Sequence, residues 1–179
     1  MSHDSETPAR LRAEPPRDPF HVVLVEPEIP PNTGNVARLC AATGSPLHLV
    51  GKLGFRVDEH AVRRAGLDYW HLVDVRQHPD LTAAEANIAA GRERPLRSFL
   101  FTGHTTRSYL DVRFEPGDVF VFGKESVGLP RELLAERGDQ TLGIPLLGPV
   151  RSHNLANAVA IVLYEALRQT GVLAPARLV

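Results

Sequence analysis

Cysteine is almost missing from this chain of 179 residues: Cys40 stands alone, so no internal disulfide can form, which fits a reducing compartment. Lysine is nearly as scarce. Of the 20 basic residues, 18 are arginine and only Lys52 and Lys124 are lysine. Neither sign of charge dominates; at a formal net charge of -1 the chain as a whole does not advertise a polyanionic partner. No apolar run reaches the length of a membrane span, and residues 1–18 have no apolar signal core. A soluble, cytoplasmic protein is the expectation. The eight histidines are scattered without zinc-like spacing, so no metal is expected. A phosphate loop is missing: after Gly123-Lys124, Glu125 stands where Ser or Thr is required. No G-x-G-x-x-G follows the first apolar run, which leaves a dinucleotide site unsupported.

What is present reads as one domain preceded by a tail. Residues 1–18 are polar and carry Pro8, Pro15 and Pro16, the composition of a disordered N-terminal extension; the domain is expected over 19–179. Apolar runs at Phe20–Val25, Leu47–Val50, Leu72–Val75, Ser98–Thr102, Val119–Gly123 and Thr141–Leu146 read as strands. Helical patterns lie between them: one capped by Asn32 or Thr33 and ended by Gly44, then Asp58–Ala65, Leu81–Ala90 and Pro130–Arg137. Strands alternating with helices predict an α/β fold, a single domain with a mostly parallel sheet flanked by helices. Ligands of such sheets gather at the carboxyl ends of strands. That directs attention to the segments after Val25, Thr102, Phe122 and Leu146.

The chain from Ile144 to Glu165 is the densest in signals. Pro145, Gly148 and Pro149 make an irregular, stiff loop. Ser152 and Asn154 are good N-cap residues for the helix that follows. Leu155, Val159, Val162, Leu163 and Ala166 fall on one face of that helix, and Ala156, Ala160, Ile161 and Tyr164 on another. A helix apolar or small on two faces suggests a second element or a second subunit beyond its own core. Arg151, Ser152, His153, Asn154 and Asn157 crowd its start, where free N–H groups make a ligand cradle. Cys40 sits on an apolar helix face and reads as core.

Three ordered segments carry a resemblance. Asn32-Thr-Gly-Asn35-Val-Ala-Arg38, Phe122-Gly-Lys-Glu-Ser-Val-Gly-Leu129, and Ile144-Pro followed by Arg151-Ser-His-Asn-Leu-Ala-Asn-Ala-Val and Tyr164-Glu165 are similar to the three motifs of the SPOUT RNA 2′-O-ribose methyltransferases. Glu26-Pro-Glu-Ile-Pro-Pro-Asn-Thr-Gly-Asn35 and Arg63-Arg-Ala-Gly-Leu-Asp-Tyr69 resemble the smallest subgroup, the TrmL type, whose members methylate the wobble ribose of certain leucine tRNAs. The likeness spans about residues 20–172.

The resemblance implies a C-terminal trefoil knot, which general rules of chain topology would exclude. It also implies a homodimer with the active site at the interface, S-adenosylmethionine as methyl donor without a metal, and the anticodon stem-loop of tRNA as partner. By motif, Gly123, Ile144, Ser152 and the loop of Phe101, Thr102 and Gly103 would line the cofactor pocket, with Leu146, His153 and Leu155 adding to its walls. His153 departs from the Leu or Met more usual there. The catalytic candidates are Arg38, Asn32, Glu125, Ser152 and Asn154. Arg38 would act as general base or, more in keeping with a guanidinium that stays protonated, as a clamp on the neighbouring phosphate. Arg38, Lys52, Arg63, Arg64 and Arg107 are the RNA-binding candidates, set against the plainer reading of a solvated charged face. Two alternatives stand beside this: another tRNA or rRNA position as target, and a non-catalytic RNA-binding module on the same fold.

Overall fold

A computed structural model describes residues 10–55, 70–174 and 176–178. After a short strand β1 (Leu11–Arg12), the sheet is built from β2 (His21–Val25), β3 (Leu47–Val50), β4 (Val75–His78), β5 (Ser98–Phe101), β6 (Val119–Phe122) and β7 (Thr141–Leu142). Its order is β4-β3-β2-β6-β5-β7, and every neighbouring pair is parallel. The helices are α1 (Pro30–Thr43), α2 (Leu81–Ala89), α3 (Arg131–Glu136) and α4 (Leu155–Gln169). The α/β class and the parallel sheet are therefore as expected.

A parallel sheet is covered on both faces, so its central strands are apolar throughout. β3, β5 and β6 are buried along their whole length. On one face α1 brings Val36, Ala37 and Cys40, and α4 brings Leu155, Val159, Val162, Leu163 and Ala166, onto Phe20, Phe101, Phe120 and Phe122. The Phe101 and Phe122 rings stack at 4.8 Å. Each of the Val, Leu and Phe side chains taken out of water contributes about 2 kcal/mol. Cys40 is core, as expected, and burial pushes its thiol up. On the other face Ala84 and Ile88 of α2 and Leu133 and Leu134 of α3 pack against Val23, Val50, Leu100, Val119 and Val121. Asp80 caps α2 by accepting from the Ala83 amide at 2.8 Å.

A row of histidines crosses the sheet on this second face. His21 Nδ1 lies 3.0 Å from His48 Nε2, and His48 Nδ1 lies 3.0 Å from His78 Nε2. His48 is fully buried and His21 nearly so. With both its nitrogens engaged, a neutral His48 donates to one neighbour and accepts from the other, which gives the row a single direction.

Three expected boundaries move most. The last strand, expected over Thr141–Leu146, is only Thr141–Leu142, since Pro145 has no N–H to give a ladder. The third strand is Val75–His78, not Leu72–Val75; Trp70–Leu72 forms a 3-10 turn. β4 is an edge strand, so one half-exposed polar strand suffices there and the apolar run before it packs as a turn. Helix α1 starts before Asn32: Ile29 is its N-cap, and Pro30 and Pro31 fill its first positions. Prolines are tolerated there because those N–H groups have no partner within the helix. The expected helix at Asp58–Ala65 lies outside the described residues. So do 1–9 of the expected N-terminal extension; of its remainder, Leu11–Arg12 pairs antiparallel with β8 (Arg177–Leu178), and Asp18 accepts from Arg92 at 3.1 Å and Arg94 at 3.0 Å.

Candidate functional site

The carboxyl ends of β2, β6, β5 and β7 open toward one end of the sheet, and the loops leaving them meet there. β6 runs into Gly123, whose Cα comes so close to the next turn that a Cβ would sit 2.1 Å from the Gly128 carbonyl carbon and 2.2 Å from the Leu129 nitrogen. The Gly128 amide donates to the Lys124 carbonyl at 2.9 Å and closes the loop from Gly123 to Leu129. β5 and β7 continue as a joined pair of loops: the Thr102 amide donates to the Leu142 carbonyl at 3.0 Å, and Gly143 donates to Arg107 and accepts from Tyr109 at 2.9 and 3.0 Å. Phe101 is buried in the core, Thr102 is half-buried and Gly103 is exposed. A Cβ on Gly103 would find only the Arg151 carbonyl, at 3.9 Å, which places this loop beside the segment leading to α4. Ile144 and Leu146 follow β7 on the same side.

Glu125 ties the loop after β6 to the start of α1. Its carboxylate accepts from the Glu28 amide at 2.8 Å, the Ile29 amide at 3.3 Å and Asn32 Nδ2 at 2.9 Å. In return the Glu28 carboxylate accepts from the Ser126 amide at 3.1 Å. The Ser126 side chain first, and then this amide, hold the Glu28 carboxyl below the usual carboxylate range. Asn32 passes the connection on: its Oδ1 accepts from Asn154 Nδ2 at 2.9 Å. Asn154 in turn caps α4, accepting from the amides of Ala156 at 3.0 Å and Asn157 at 3.4 Å. One chain of hydrogen bonds, Glu125–Asn32–Asn154, therefore joins the three sequence segments singled out above and two helix N-termini.

The Glu125 carboxylate already faces three N–H donors, so it is built as a brace. Glu125→Ala is expected to cost about 1 kcal/mol, since water can replace it at the two exposed amides but not fully at buried Asn32. A urea denaturation midpoint checks this; an unchanged midpoint would deny the brace.

The remaining candidates divide. Ser152 is exposed and His153 half-buried, both just before the Asn154 cap; Leu155 is buried as the first residue of α4. Arg38 is exposed on α1, about a turn and a half beyond Asn32. Lys52 is exposed in the loop after β3. Arg107 turns its guanidinium to the Asp139 carbonyl. Arg63 and Arg64 lie outside the described residues. Sequence reasoning did not single out Glu28 and Ser126, which close this contact; the acidic pair flanking Pro27 was the available signal. No group of three or more His, Cys, Asp or Glu among the described residues could hold a metal ion. No helix among them is long and apolar enough to cross a membrane. On the outer face of α4, Tyr164 is 46% exposed, and Leu147 and Val150 of the preceding loop are exposed as well.

A family model covers most of this architecture: that of the SpoU rRNA methylase family matches residues 19–164. The chain belongs to the SpoU rRNA methylase family. Within it, the chain is 52% identical over 157 residues to the tRNA (cytidine(34)-2′-O)-methyltransferase of Acidovorax sp. (strain JS42), covering 87% of this chain and 95% of that protein. A solved structure concerned with 2-OH methylation of the cytidine or uridine at position 34 of tRNA is 48% identical, with a TM-score of 0.76, and the match covers 84% of this chain and 95% of that one. The SpoU methyltransferase AviRb from Streptomyces viridochromogenes, in complex with the cofactor AdoMet, is 28% identical with a TM-score of 0.70, covering 86% of this chain and 61% of that one. In this member of the family the three segments quoted above lie at the start of α1, in the loop after β6, and across the start of α4.

Proposed function

We propose that this SpoU methylase transfers a methyl group from S-adenosylmethionine to the ribose 2′-hydroxyl of the wobble nucleotide, cytidine 34 or a modified uridine 34, of leucine tRNAs. The observation that carries the reading is the Glu125–Asn32–Asn154 chain, because it assembles the three motif segments into one site. The name of the Acidovorax relative supports the wobble position.

The residues fit S-adenosylmethionine. Gly103 leaves open space beside the Arg151 carbonyl, and the loops after β5, β6 and β7 present backbone groups on adjacent parallel strands. Phe101, Thr102, Gly103, Gly123, Ile144, Leu146, Ser152, His153 and Leu155 would hold it, largely through main-chain contacts. When bound, it supplies an electrophilic methyl group. The chain's own work is to hold donor and acceptor in line and to exclude slack at the reacting oxygen. Glu125 and Asn154 act by fixing Asn32 and the helix starts. Arg38 grips the phosphate next to the target ribose and orients its hydroxyl. Lys52, Arg63, Arg64 and Arg107 are the further RNA contacts of the proposal, and a single-stranded anticodon loop suits one exposed ribose.

The same reading includes a homodimer with the site at its interface, a C-terminal trefoil knot and a cytoplasmic location. The exposed Tyr164, Leu147 and Val150 support the dimer. The test is to incubate the protein with methyl-labelled S-adenosylmethionine and total tRNA from a strain lacking its own wobble-ribose methylase, then map the labelled nucleotide. Label is expected on the wobble 2′-oxygen of leucine tRNAs, and Arg38→Ala is expected to lower the rate about tenfold, the worth of one charge-assisted contact. Label at another position moves the substrate; no transfer to any RNA overturns the reading.

A further inference from the structure

Lys124 and Glu26 belong to none of the roles assigned above, yet they connect the two loops that carry them. Lys124 Nζ lies 2.9 Å from Glu26 Oε2. Both side chains are partly exposed, at 31% and 43%. An exposed pair of this kind adds little to global stability. The backbone is nonetheless arranged for it. Glu26 has a φ of 50°, the only non-glycine residue in the left-handed region among the described residues. Its amide donates to the Val50 carbonyl at 2.8 Å, and next to Val50 stands Gly51, at a φ of 76°, where a Cβ would come within 3.0 Å of Glu26 Cγ. A side chain at Gly51 would thus crowd Glu26 where it now meets Lys124. Of three adjacent strands, β2 and β3 place Glu26 and Gly51 just past their carboxyl ends, and β6 places Lys124 two residues past its own.

We infer that the Lys124–Glu26 pair is a latch that positions the loop from Gly123 to Leu129 for cofactor binding. Lys124 follows Gly123 directly, and its carbonyl closes the loop by accepting from Gly128. Glu125, the next residue, fastens Asn32. Holding the Lys124 side chain therefore fixes both the cofactor side of the loop and the side that braces α1. The inference rests on the proposed methyl transfer, and Lys124 and Glu26 act through Gly123 and Glu125; they are positioning residues.

The experiment compares wild type, Lys124→Met, Glu26→Gln, the double variant and Lys124→Arg. Binding of S-adenosylhomocysteine is measured by calorimetry, and amide hydrogen exchange is followed across 123–129. The two single variants are expected to weaken binding about fivefold, with KM for S-adenosylmethionine rising by a similar factor and kcat less affected. The double variant is expected to be no worse than either single one, because both remove the same contact. Lys124→Arg should restore binding, and the Gly128 amide should exchange faster in the Met and Gln variants alone. Additive losses, no rescue by arginine, or unchanged exchange at Gly128 would overturn the latch. If wild type binds no S-adenosylhomocysteine, the methyl-transfer reading fails, and the exchange pattern alone decides whether the latch exists.

Discussion

Alanine at Gly123 is expected to cost this protein both stability and cofactor binding. The added methyl would lie 2.1 Å from one backbone carbon and 2.2 Å from the next backbone nitrogen, in the peptide between Gly128 and Leu129. Neither atom belongs to a flexible side chain, so the loop must open to admit it. Leu129 is only 4% exposed and packs in the cluster beneath α3, so moving its backbone also disturbs the core. Overpacking of this kind typically costs about 2–3 kcal/mol. For a chain of this size that is a fall in Tm of about 8 °C. A displacement of about 1 Å in a positioning loop can cost about a hundredfold in rate. Gly103→Ala is the control: its Cβ has only one neighbour, at 3.9 Å, so the fold should melt as in wild type while the open space beside Arg151 fills. Thermal melts and transfer rates of the two variants check this. A Gly123→Ala protein that melts and turns over like wild type would mean the close approach is not needed.

The second large effect is acid sensitivity, and it comes from the histidine row. Burial, with the charges of Arg92 and Arg76 behind it, lowers His21 to about 4, and burial with its histidine neighbours lowers His48 to about 3. His78 is also lowered, by burial and then Arg76. Asp18 and Asp74 act weakly the other way. Unfolded histidine binds its proton near pH 6.5, so below that pH the unfolded chain holds more protons than the folded one, and stability falls as pH drops from about 6.5 toward 4. Asp118 opposes this. Burial raises its carboxyl to about 6, so acidification over the same range favours the folded state through that group. Two strongly depressed histidines outweigh one raised carboxyl, leaving a net loss of about 3 kcal/mol at pH 4.5. A second proton in the row also sets two N–H groups face to face. Urea midpoints from pH 7.5 to 4.5, for wild type beside His48→Gln, measure the effect. The variant should lose less than half as much as wild type; a flat wild-type profile would remove the row from the account.

Composition and periodicity carried the fold class, the inner face of α4 and the core position of Cys40, because each depends on local pattern alone. The three motif segments named Asn32, Glu125 and Asn154 as candidates, but not as a connected chain, since no spacing along a sequence states which side chain will accept from which. The start of α1 was misplaced for the same reason. Asn32 is a good cap by type, and only the fold shows that Glu125, from a distant loop, supplies the acceptor while two prolines remove the need for others. β4 was displaced because Val75-Arg76-Gln77-His78 has one β-branched residue and is recognisable as a strand only beside β3. The histidine row was invisible: positions 21, 48 and 78 have no motif spacing, and it is the parallel register that lines them up.

The hydrogen bond between Asn32 and Asn154 spans 122 positions of chain. A ribosome adding about 5–20 residues per second delivers the second asparagine roughly ten seconds after the first. For that interval the start of α1 exists without its partner, and β2 must wait almost as long for β6. No neighbouring strands of this parallel sheet can form a tight hairpin in the meantime. Folding of such far-separated pairings takes milliseconds to seconds once the chain is complete. The site is thus incomplete until Asn154 has been made, long after the start of α1.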